Sequence, residues 1–336
     1  GWTGSSGQSR SSVESARPYG GAGNRKEENM FKRVLIVLSV LVIAASSLFG
    51  VGAAEDDGTT SIAFVGFSST NEFWLTLARS ADARATELGV DFIDLTSAEP
   101  DASAQVAAVE NAILQNVDGI IIGAADSRAF GNVLDRAAEA GIPVIAVDTG
   151  IDHPQISSLI QTDNLAAARL AGEYLVEATG GEGKLLIIGG AAGHQTGDAR
   201  KNGVEEVTSA AGMEVIVEYA DWLESNAADI MQNQLGANPD INAVFAAWDP
   251  GAVAALSQIK QAGRLDDIVL VGFDALPVAL SAIAAGEMEA TVRQDPQRMG
   301  REGIDLMMQV INGESVPEYT PIDGVIIDAS NVADFQ

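Results

Sequence analysis

The chain has 336 residues, 19 basic against 47 acidic, and a formal net charge of −28 at pH 7 with no cysteine. The length allows about two domains of ordinary size, and so acidic a surface argues against nucleic acid and anionic membranes as partners. Without cysteine, disulfides, thiol chemistry and a lipid anchor on a leading cysteine are excluded.

The amino-terminal stretch has the composition of a leader followed by a signal peptide. Residues 1–29 are rich in Gly, Ser and Arg without periodicity, which predicts an untranslated or disordered leader and a translation start at Met30. Residues 30–54 begin with Lys32 and Arg33, continue with an apolar core and end in small residues, the pattern of a cleaved secretory signal peptide. We therefore expect a freely diffusing protein of the periplasm.

The run SIAFVGFSSTNEFWLTL at 61–77 shows a plan that the rest of the chain repeats: an apolar strand, a polar turn and an amphipathic helix. Residues 62–66 are apolar or small, which predicts a strand buried on both faces. The turn contains Asn71, Phe73 and Trp74. Because ligands of open parallel sheets bind outside the carboxyl ends of the strands, these residues are expected to face a crevice. For Asn71, an ordinary capped loop explains the pattern equally well.

Strands and helices then alternate along the whole chain. A first round has predicted strands at 62–66, 90–95, 119–123, 143–147 and 157–161, with helices at 73–88, 102–116 and 130–140. After a helix start at 162–164, with Asp163 as the candidate N-cap, a second round has helices at 165–179, 200–211, 227–235, 252–262 and 277–285, with strands at 184–188, 214–218, 243–246, 268–271 and 290–292. Each round can close its own sheet, so we predict two doubly wound α/β domains with parallel sheets. Periodicity does not say on which domain the last helix, at 298–311, and the tail to Asp328 pack.

The tryptophans beyond the leader lie just past the carboxyl ends of predicted strands. Trp74 opens the first helix, Trp222 follows the strand at 214–218, and Trp248 follows the strand at 243–246. A tryptophan of the core more often lies within an apolar run. These positions indicate a ligand site, with the corner of a core as the alternative.

Carboxylates show the same bias, since Asp148, Asp249 and Asp274 each directly follow an apolar strand. One such residue is usually a helix cap, but three of them indicate a cleft that accepts hydrogen bonds from hydroxyl groups. Arg200, near the start of its predicted helix, offers a planar donor fork to the same ligand or an ion pair to a neighbouring acid.

A sugar fits this set because its hydroxyls donate and accept while its C–H faces lie flat on aromatic rings. Three charge-assisted hydrogen bonds at about 1.5–3 kcal/mol each, together with aromatic burial, suffice for micromolar binding, which needs about 8 kcal/mol. Enzyme readings have less support, because the chain has two histidines, no thiol and no G-x-S-x-G motif. We predict no catalytic residue, metal or cofactor. The glycine-rich residues 180–184 precede a strand, which favours a helix-ending turn over a phosphate loop.

Several motifs occur in a specific order: TNEFW, IPVIAVD, DARKNG, ADW, NPDINAVFAAWD, VGFDA and ATVRQDP. Through them, the chain from about Thr60 to Asp328 resembles the periplasmic ribose-binding and galactose-binding proteins, the type I solute receptors of ABC transporters. Regulators of the lactose-repressor type share the fold, but here a signal peptide occupies the place of their DNA-binding helices. The resemblance implies a sugar-binding protein rather than an enzyme.

The resemblance also assigns ligand contacts. The residues that match those of the ribose receptors are Asn71, Phe73, Trp74, Asp148, Arg200, Trp222, Asp274 and Gln294. Two positions depart from that pattern, since Thr149 stands where ribose binders have arginine and Trp248 where they have asparagine. His194, in GHQTGDAR, is similar to the histidine of the glucose and galactose receptors. The departures argue against ribose and favour another monosaccharide or a polyol.

By resemblance, the chain crosses between two lobes near Thr162, Gln294 and Asp323. The first lobe is then 60–162 with 295–323, including the last helix, and the second is 163–294 with 324–336. A monomer of this kind closes on one sugar by a hinge motion and delivers it to the membrane permease of an ABC transporter. The alternatives are a receptor that docks on a chemoreceptor or sensor kinase and, with less support, a sugar-modifying hydrolase.

Overall fold

The structure is a computed structural model that describes residues 58–335. The predicted leader at 1–29 and signal peptide at 30–54 lie outside the described residues. Within the described part, none of the helices combines the length and the apolar character needed to cross a bilayer. Strands and helices alternate as the sequence predicts.

The elements form two successive rounds. The first consists of β1 (Ser61–Val65), α1 (Glu72–Leu88), β2 (Asp91–Asp94), α2 (Ala102–Leu114), β3 (Gly119–Ile122), α3 (Gly131–Glu139), β4 (Val144–Val147) and β5 (Ile156–Thr162). The second consists of α4 (Asn164–Thr179), β6 (Lys184–Gly189), α5 (Gln195–Ala211), β7 (Glu214–Tyr219), α6 (Glu224–Ala237), β8 (Ile241–Ala246), α7 (Asp249–Gln261), β9 (Val269–Asp274), α8 (Pro277–Ala284) and β10 (Ala290–Arg293). The chain ends with α9 (Pro296–Ile311), β11 (Tyr319–Ile322), β12 (Val325–Asp328) and a short 3-10 turn.

Each round builds its own sheet, which confirms the predicted pair of doubly wound α/β domains. The strand order is β11-β5-β4-β3-β1-β2 in the first sheet and β12-β10-β9-β8-β6-β7 in the second. All described pairings are parallel except that of β12, which runs antiparallel to β10. In both sheets the order reverses beside the first strand of the round, at β1/β3 and β6/β8, where doubly wound sheets open a crevice.

The first strand is buried on both faces, as its apolar sequence predicts. Residues 62–65 of β1 are all at most 1% exposed. Helices cover both faces of such a sheet, so a central strand has no polar side. The polar side chains nearest to this strand, such as Ser68 and Asn71, lie in the turn that follows it.

The helix ends follow local sequence signals. Asp163 caps α4 by accepting a hydrogen bond from the Ala166 N–H at 3.0 Å, as predicted. Gly180 ends the same helix in the left-handed region, with φ of 71°, which confirms the helix-ending turn. The start of α5 was predicted at Arg200, but the helix begins at Gln195. The first turn of α5 lacks apolar spacing, and the periodic pattern therefore appears only in the second turn.

The tail, which the sequence left unassigned, divides between the sheets. β11 pairs with β5 in the first sheet, and β12 pairs with β10 in the second. The last helix, α9, packs on the first sheet and on α1, with Met299, Ile304 and Met307 in the same apolar cluster as Phe64 and Leu77. Within the described residues, the chain thus passes between the two sheets after β5, after β10 and after β11.

We predict that Gly203→Ala destabilises the fold where α4 and α5 pack closely. A Cβ atom at Gly203 would lie 2.6 Å from the Leu165 carbonyl oxygen and 2.7 Å from the Ala168 Cβ, so the helices would have to separate. Overpacking of this kind costs about 1–3 kcal/mol in the free energy of unfolding, measured by urea denaturation. The matched control is Gly236→Ala in α6, where nothing lies within 4 Å and alanine should stabilise by about 0.5–1 kcal/mol. Equal effects of the two substitutions would contradict the close packing.

Candidate ligand-binding cavity

A cavity of about 710 Å³ opens at the carboxyl ends of strands from both sheets. The first sheet contributes the loops after β1 and β2 and Asp148 after β4. The second contributes loops after β6, β7, β8 and β9 and Gln294 after β10. Parallel strands place their carboxyl ends at one edge of a sheet, so loops distant in sequence meet there.

The structure brings together ten of the predicted site residues, while Thr149 and Asp249 lie outside the cavity lining. The cavity is lined by Asn71, Phe73, Trp74, Asp148, His194, Arg200, Trp222, Trp248, Asp274 and Gln294. Thr149 is buried behind it, and its hydroxyl donates to Asp148 Oδ2 at 2.9 Å. Asn71 also caps α1 by accepting a hydrogen bond from the Phe73 N–H at 2.9 Å, so the capped-loop explanation is confirmed for that residue. Contact of these residues with a ligand stays a prediction.

Aromatic rings form a continuous series across the cavity. Phe67 stacks on Trp74 with centroids 5.9 Å apart, and its ring meets His194 from the other sheet edge-on at 6.4 Å. His194 in turn packs edge-on against Trp222 at 5.3 Å, and Trp222 against Trp248 at 5.6 Å. Sequence reasoning missed Phe67, although it follows β1 as directly as Trp222 follows β7. The signal was present, because an aromatic residue just past a strand was the criterion that selected the tryptophans.

Each indole lies over a glycine. A Cβ atom would overlap the ring of Trp74 at Gly123 and that of Trp222 at Gly190. The same holds for Trp248 at Gly251. These glycines make room for large flat side chains at the strand ends. Trp74 and Trp248 line the cavity and are also buried in the apolar clusters of their domains, so the core-corner alternative holds for these two, whereas Trp222 is only partly buried.

Arg200 is held in a fixed orientation inside the second domain. Its Nε donates to Asn164 Oδ1 at 2.8 Å and its Nη1 to the Ala247 carbonyl at 2.9 Å. The guanidinium lies 4.0 Å from the centre of the Phe273 ring. Only 4% of the residue is exposed. A buried planar donor with its rotamer locked in this way directs its remaining N–H groups in a defined direction.

Asp274 joins Arg200 to Gln294. Its Oδ1 lies 3.5 Å from Arg200 Nη1 and accepts a hydrogen bond from Gln294 Nε2 at 2.7 Å. The ion pair predicted as one role of Arg200 is therefore present, while donation to a ligand from the cavity wall stays a prediction. Burial raises the pKa of Asp274 to about 6, although the charge of Arg200 opposes the shift. Gln294 also accepts a hydrogen bond from Thr162 at 2.7 Å, which links two of the passages between the sheets.

The buried carboxylate of Asp148 has fewer polar partners than that of Asp274. Its side chain is 7% exposed, and the Thr149 hydroxyl is the one hydrogen-bond donor to it among the described residues. Burial raises the pKa of this carboxyl, while the charge of Arg200 and the Thr149 hydroxyl lower it. The carboxylate is therefore a buried acceptor with capacity left for a ligand.

His194 is a neutral ring at the junction of the two sheets. Burial lowers its pKa below the usual 6.5, although the charge of Asp148 acts in the opposite direction. Its Nδ1 lies 3.1 Å from Thr196 Oγ1. Within the described residues, no group of three or more acidic or histidine side chains is arranged to hold a metal ion.

Backbone strain concentrates at the cavity. Positive φ angles occur at Asp148 (61°), Asp221 (52°), Trp222 (60°) and Asp274 (125°), all of which line it. Non-glycine residues rarely adopt this region, at a cost of order 1–3 kcal/mol each. Such angles persist where the surrounding packing fixes them, and here they set the direction of four side chains that line the cavity.

The expectation that Asp249 shares the cleft with Asp148 and Asp274 is wrong. Asp249 is fully buried and lies outside the cavity lining. Its Oδ1 accepts from the Thr291 hydroxyl and its Oδ2 from the Leu276 N–H, each at 2.7 Å. Burial, followed by the charge of Asp274, raises its pKa well above the ordinary value. This side chain turns into the domain because it begins α7, and it holds the loop after β9 in place.

Comparison with known proteins gives a consistent picture. A family model described as a periplasmic binding protein domain matches residues 62–315. The ribose import binding protein RbsB of Escherichia coli (strain K12) is 30% identical over 283 residues, covering 84% of this chain and 95% of that protein.

Solved structures agree in fold. An ABC transporter periplasmic solute binding protein from Actinobacillus succinogenes 130z with bound D-allose has a TM-score of 0.78 and 27% identity, covering 82% of this chain and 100% of that one. An ABC transporter solute binding protein from Bacillus halodurans C-125 with bound myo-inositol has a TM-score of 0.77 and 28% identity, covering 83% and 98%. Each of these two structures holds a small polyhydroxylated molecule.

We predict that Asp274→Asn makes the ligand-free protein more stable at pH 7–8. The pKa of Asp274 is about 6 when folded, above its ordinary 3.8, so the folded state binds a proton more tightly than the unfolded state. The stabilisation from that proton is complete below about pH 4 and is lost as the pH rises through 6. Its full size is about 3 kcal/mol.

The measurement is urea denaturation of wild type and variant from pH 4 to 8. The stability advantage of the variant should grow over this range. Asp266→Asn, at an exposed position, is the control and should show no such trend. An advantage that is constant with pH would contradict the raised pKa.

Proposed function

This chain belongs to the periplasmic binding protein family, and from that premise we propose that it binds one monosaccharide or polyol between two lobes in the periplasm. It then delivers the ligand to the membrane permease of an ABC transporter. The proposal rests on one observation: aromatic rings from both domains form the walls of the same cavity, and the polar side chains Asp148, Arg200 and Asp274 line it as well. The ribose import protein and the allose-bound and inositol-bound structures support this ligand class.

The chemistry of the lining suits a polyhydroxylated ring. Asp148 and Asp274 accept hydrogen bonds, and Arg200 donates them. The indole Nε1–H of Trp222 is buried and has no hydrogen-bond partner among the described residues, so a ligand hydroxyl would satisfy it. The rings of Trp74 and Trp222 offer flat apolar faces for the C–H groups of a sugar.

The proposed lobes are those predicted from sequence, 60–162 with 295–323 and 163–294 with 324–336. Contacts between loops of the two lobes include the hydrogen bond from the Gly150 N–H to Gln195 Oε1 at 2.6 Å, the edge-on contact of Phe67 with His194, and the packing of Leu276 in the apolar cluster of Phe73 and Trp74. A ligand that touches both lobes favours the closed arrangement, because only that arrangement makes both sets of contacts. Opening about the three connecting segments would release it.

The proposal has further parts that follow from the sequence. The protein acts as a monomer after cleavage of residues 30–54, and it returns its ligand unchanged without catalytic residue, metal or cofactor. Docking of the liganded form on a chemoreceptor or sensor kinase stays a second prediction. No feature of residues 58–335 favours it over delivery to a permease.

A thermal-shift screen of the purified protein tests the function. Pentoses, hexoses, hexitols and inositols are added singly, affinities are measured by calorimetry for those that raise the unfolding temperature, and the recovered ligand is examined by NMR. We expect micromolar or tighter binding of at least one neutral compound and its recovery unaltered. Failure of every neutral member to stabilise the protein would contradict sugar binding, and a converted ligand would contradict the absence of catalysis.

We predict that Asp274→Ala and Trp222→Ala each weaken binding of the best neutral ligand by more than tenfold. The first removes a charge-assisted hydrogen bond and the second a ring wall with its donor. Calorimetry gives the affinities, and circular dichroism checks that the fold is intact. Asp266→Ala serves as the control. Near-normal affinity in both cavity variants would mean that the ligand binds elsewhere.

We further predict that Gln195→Ala weakens ligand binding about 3- to 10-fold, although Gln195 lies outside the cavity lining. Its hydrogen bond to Gly150 joins the lobes, and a bond of this kind contributes about 1 kcal/mol to the closed arrangement. Small-angle X-ray scattering with and without ligand should show a larger open fraction than in wild type. Gln232→Ala, on the exposed face of α6, is the control. Equal affinities of the two variants would exclude a contribution of Gln195 to closure.

A further inference from the structure

The cavity has more negative charge than a neutral sugar uses. Among the described lining residues, six bear carboxylates: Glu72, Glu99, Asp148, Asp221, Glu224 and Asp274. One lining residue, Arg200, has a permanent positive charge, and His194 is neutral because burial lowers its pKa. Four of these carboxylates, Glu72, Glu99, Asp221 and Glu224, are exposed, whereas Asp148 and Asp274 are buried, where a charge interacts more strongly with a ligand.

Arg200, the one permanently charged cation among the described lining residues, already has partners within the protein. Arg200 donates to Asn164 and to the Ala247 carbonyl, and it lies 3.5 Å from Asp274. Its charge therefore compensates Asp274 first. At the mouth of the cavity, Glu72 has its own partner in Arg79 at 3.2 Å, but that pair is exposed and contributes little.

Asp148 is the buried carboxylate of the lining that has no ion-pair partner among the described residues; Glu99, Asp221 and Glu224 also lack one, but they are exposed. Asp148 is nine-tenths buried, and its Oδ2 accepts one hydrogen bond from Thr149. Its Oδ1 accepts none from the described residues, and the side chain lines the cavity. Burying a charge is costly unless it is paired, and a neutral hydroxyl compensates it only in part. A positively charged group on the ligand would compensate it fully.

The aromatic walls favour the same charge. Indole rings attract cations over their faces, within about 6 Å of the ring centre. Trp222 already has Arg200 at 5.9 Å on one side. Trp74, stacked with Phe67, forms the wall on the side of the first sheet, where Asp148 also lies.

We propose that the cavity selects polyhydroxylated ligands by charge, binding those with an ammonium group more tightly than their neutral parents and rejecting those with a carboxylate or phosphate. This inference rests on the proposed function, because it concerns the same cavity. The ammonium group pairs with Asp148 and lies between the indole walls, while the hydroxyls retain the contacts with Arg200 and Asp274. An anionic group on the ligand would be repelled by Asp148 and by the exposed carboxylates of the lining. Arg200 would compensate it only in part, because Arg200 is already paired with Asp274.

Matched sets of ligands test the proposal on the wild-type protein. One set is D-glucose, D-glucosamine and D-glucuronate; a second is D-galactose, D-galactosamine and D-galacturonate; a third is D-glucitol, 1-amino-1-deoxy-D-glucitol and D-gluconate. Affinities are measured by calorimetry at pH 7 in low and high salt. We expect the amine to bind about tenfold more tightly than the neutral member, and the acid at least tenfold more weakly, in each set that binds.

The outcomes separate the two proposals. Neutral members that bind while the acids bind equally well, or the amines more weakly, would overturn charge selection and leave sugar binding intact. No binding by any member of these sets, together with failure of every neutral pentose, hexose, hexitol and inositol in the thermal-shift screen, would overturn the proposed function and with it this inference. Preference for the amine that persists in high salt supports pairing inside the cavity, because exposed charges are screened more strongly than buried ones.

A variant then locates the effect. Asp148→Asn keeps the shape and removes the charge, so the ratio of amine to neutral affinity should fall about tenfold, while the affinity for the neutral member changes less. Asp152→Asn, an exposed carboxylate of the same loop outside the cavity lining, should leave the ratio unchanged. Thermal unfolding of both ligand-free variants checks folding. An unaltered ratio in Asp148→Asn would overturn the pairing with Asp148.

Discussion

The cavity depends on one constraint of parallel β-structure, which is that all strands running the same way end at the same edge of the sheet. Residues far apart in the chain, such as Asp148 and Trp74 in one domain or Trp222 and Asp274 in the other, therefore lie side by side. Two sheets that present these edges to a shared space give each wall aromatic and charged groups. The three passages of the chain between the sheets keep the two edges facing each other.

The arrangement at these strand ends reduces stability locally. Asp148 and Trp222 have positive φ angles, and burial raises the pKa of both Asp148 and Asp274. The strain and the buried charge are tolerated because they sit on rigid elements, with Arg200 locked by Asn164 and by the Phe273 ring. A ligand that donates to the carboxylates relieves part of this cost, and the energy gained is then available to hold the lobes together.

The two buried carboxylates of the cavity, Asp274 and Asp148, differ in the groups that surround them. In the second domain, Arg200 and Gln294 surround Asp274, so that carboxylate can bind a neutral hydroxyl without a large uncompensated charge. In the first domain, a threonine hydroxyl is the described donor to Asp148. The two carboxylates thus have unequal surroundings within one cavity.

Sequence alone determined the alternation of strands and helices, the two domains and most of the cavity residues, because apolar periodicity and the position of polar residues after strands are local properties. It did not separate Asp249 from Asp274, although both follow an apolar strand. Which way such a carboxylate turns depends on the backbone at the strand end, where Asp274 has a φ of 125° and Asp249 begins a helix. The short strands β11 and β12 and the bond between Gln195 and Gly150 were likewise decided only by the tertiary structure. They form between segments distant in the chain, and their partners come close only after both sheets have folded.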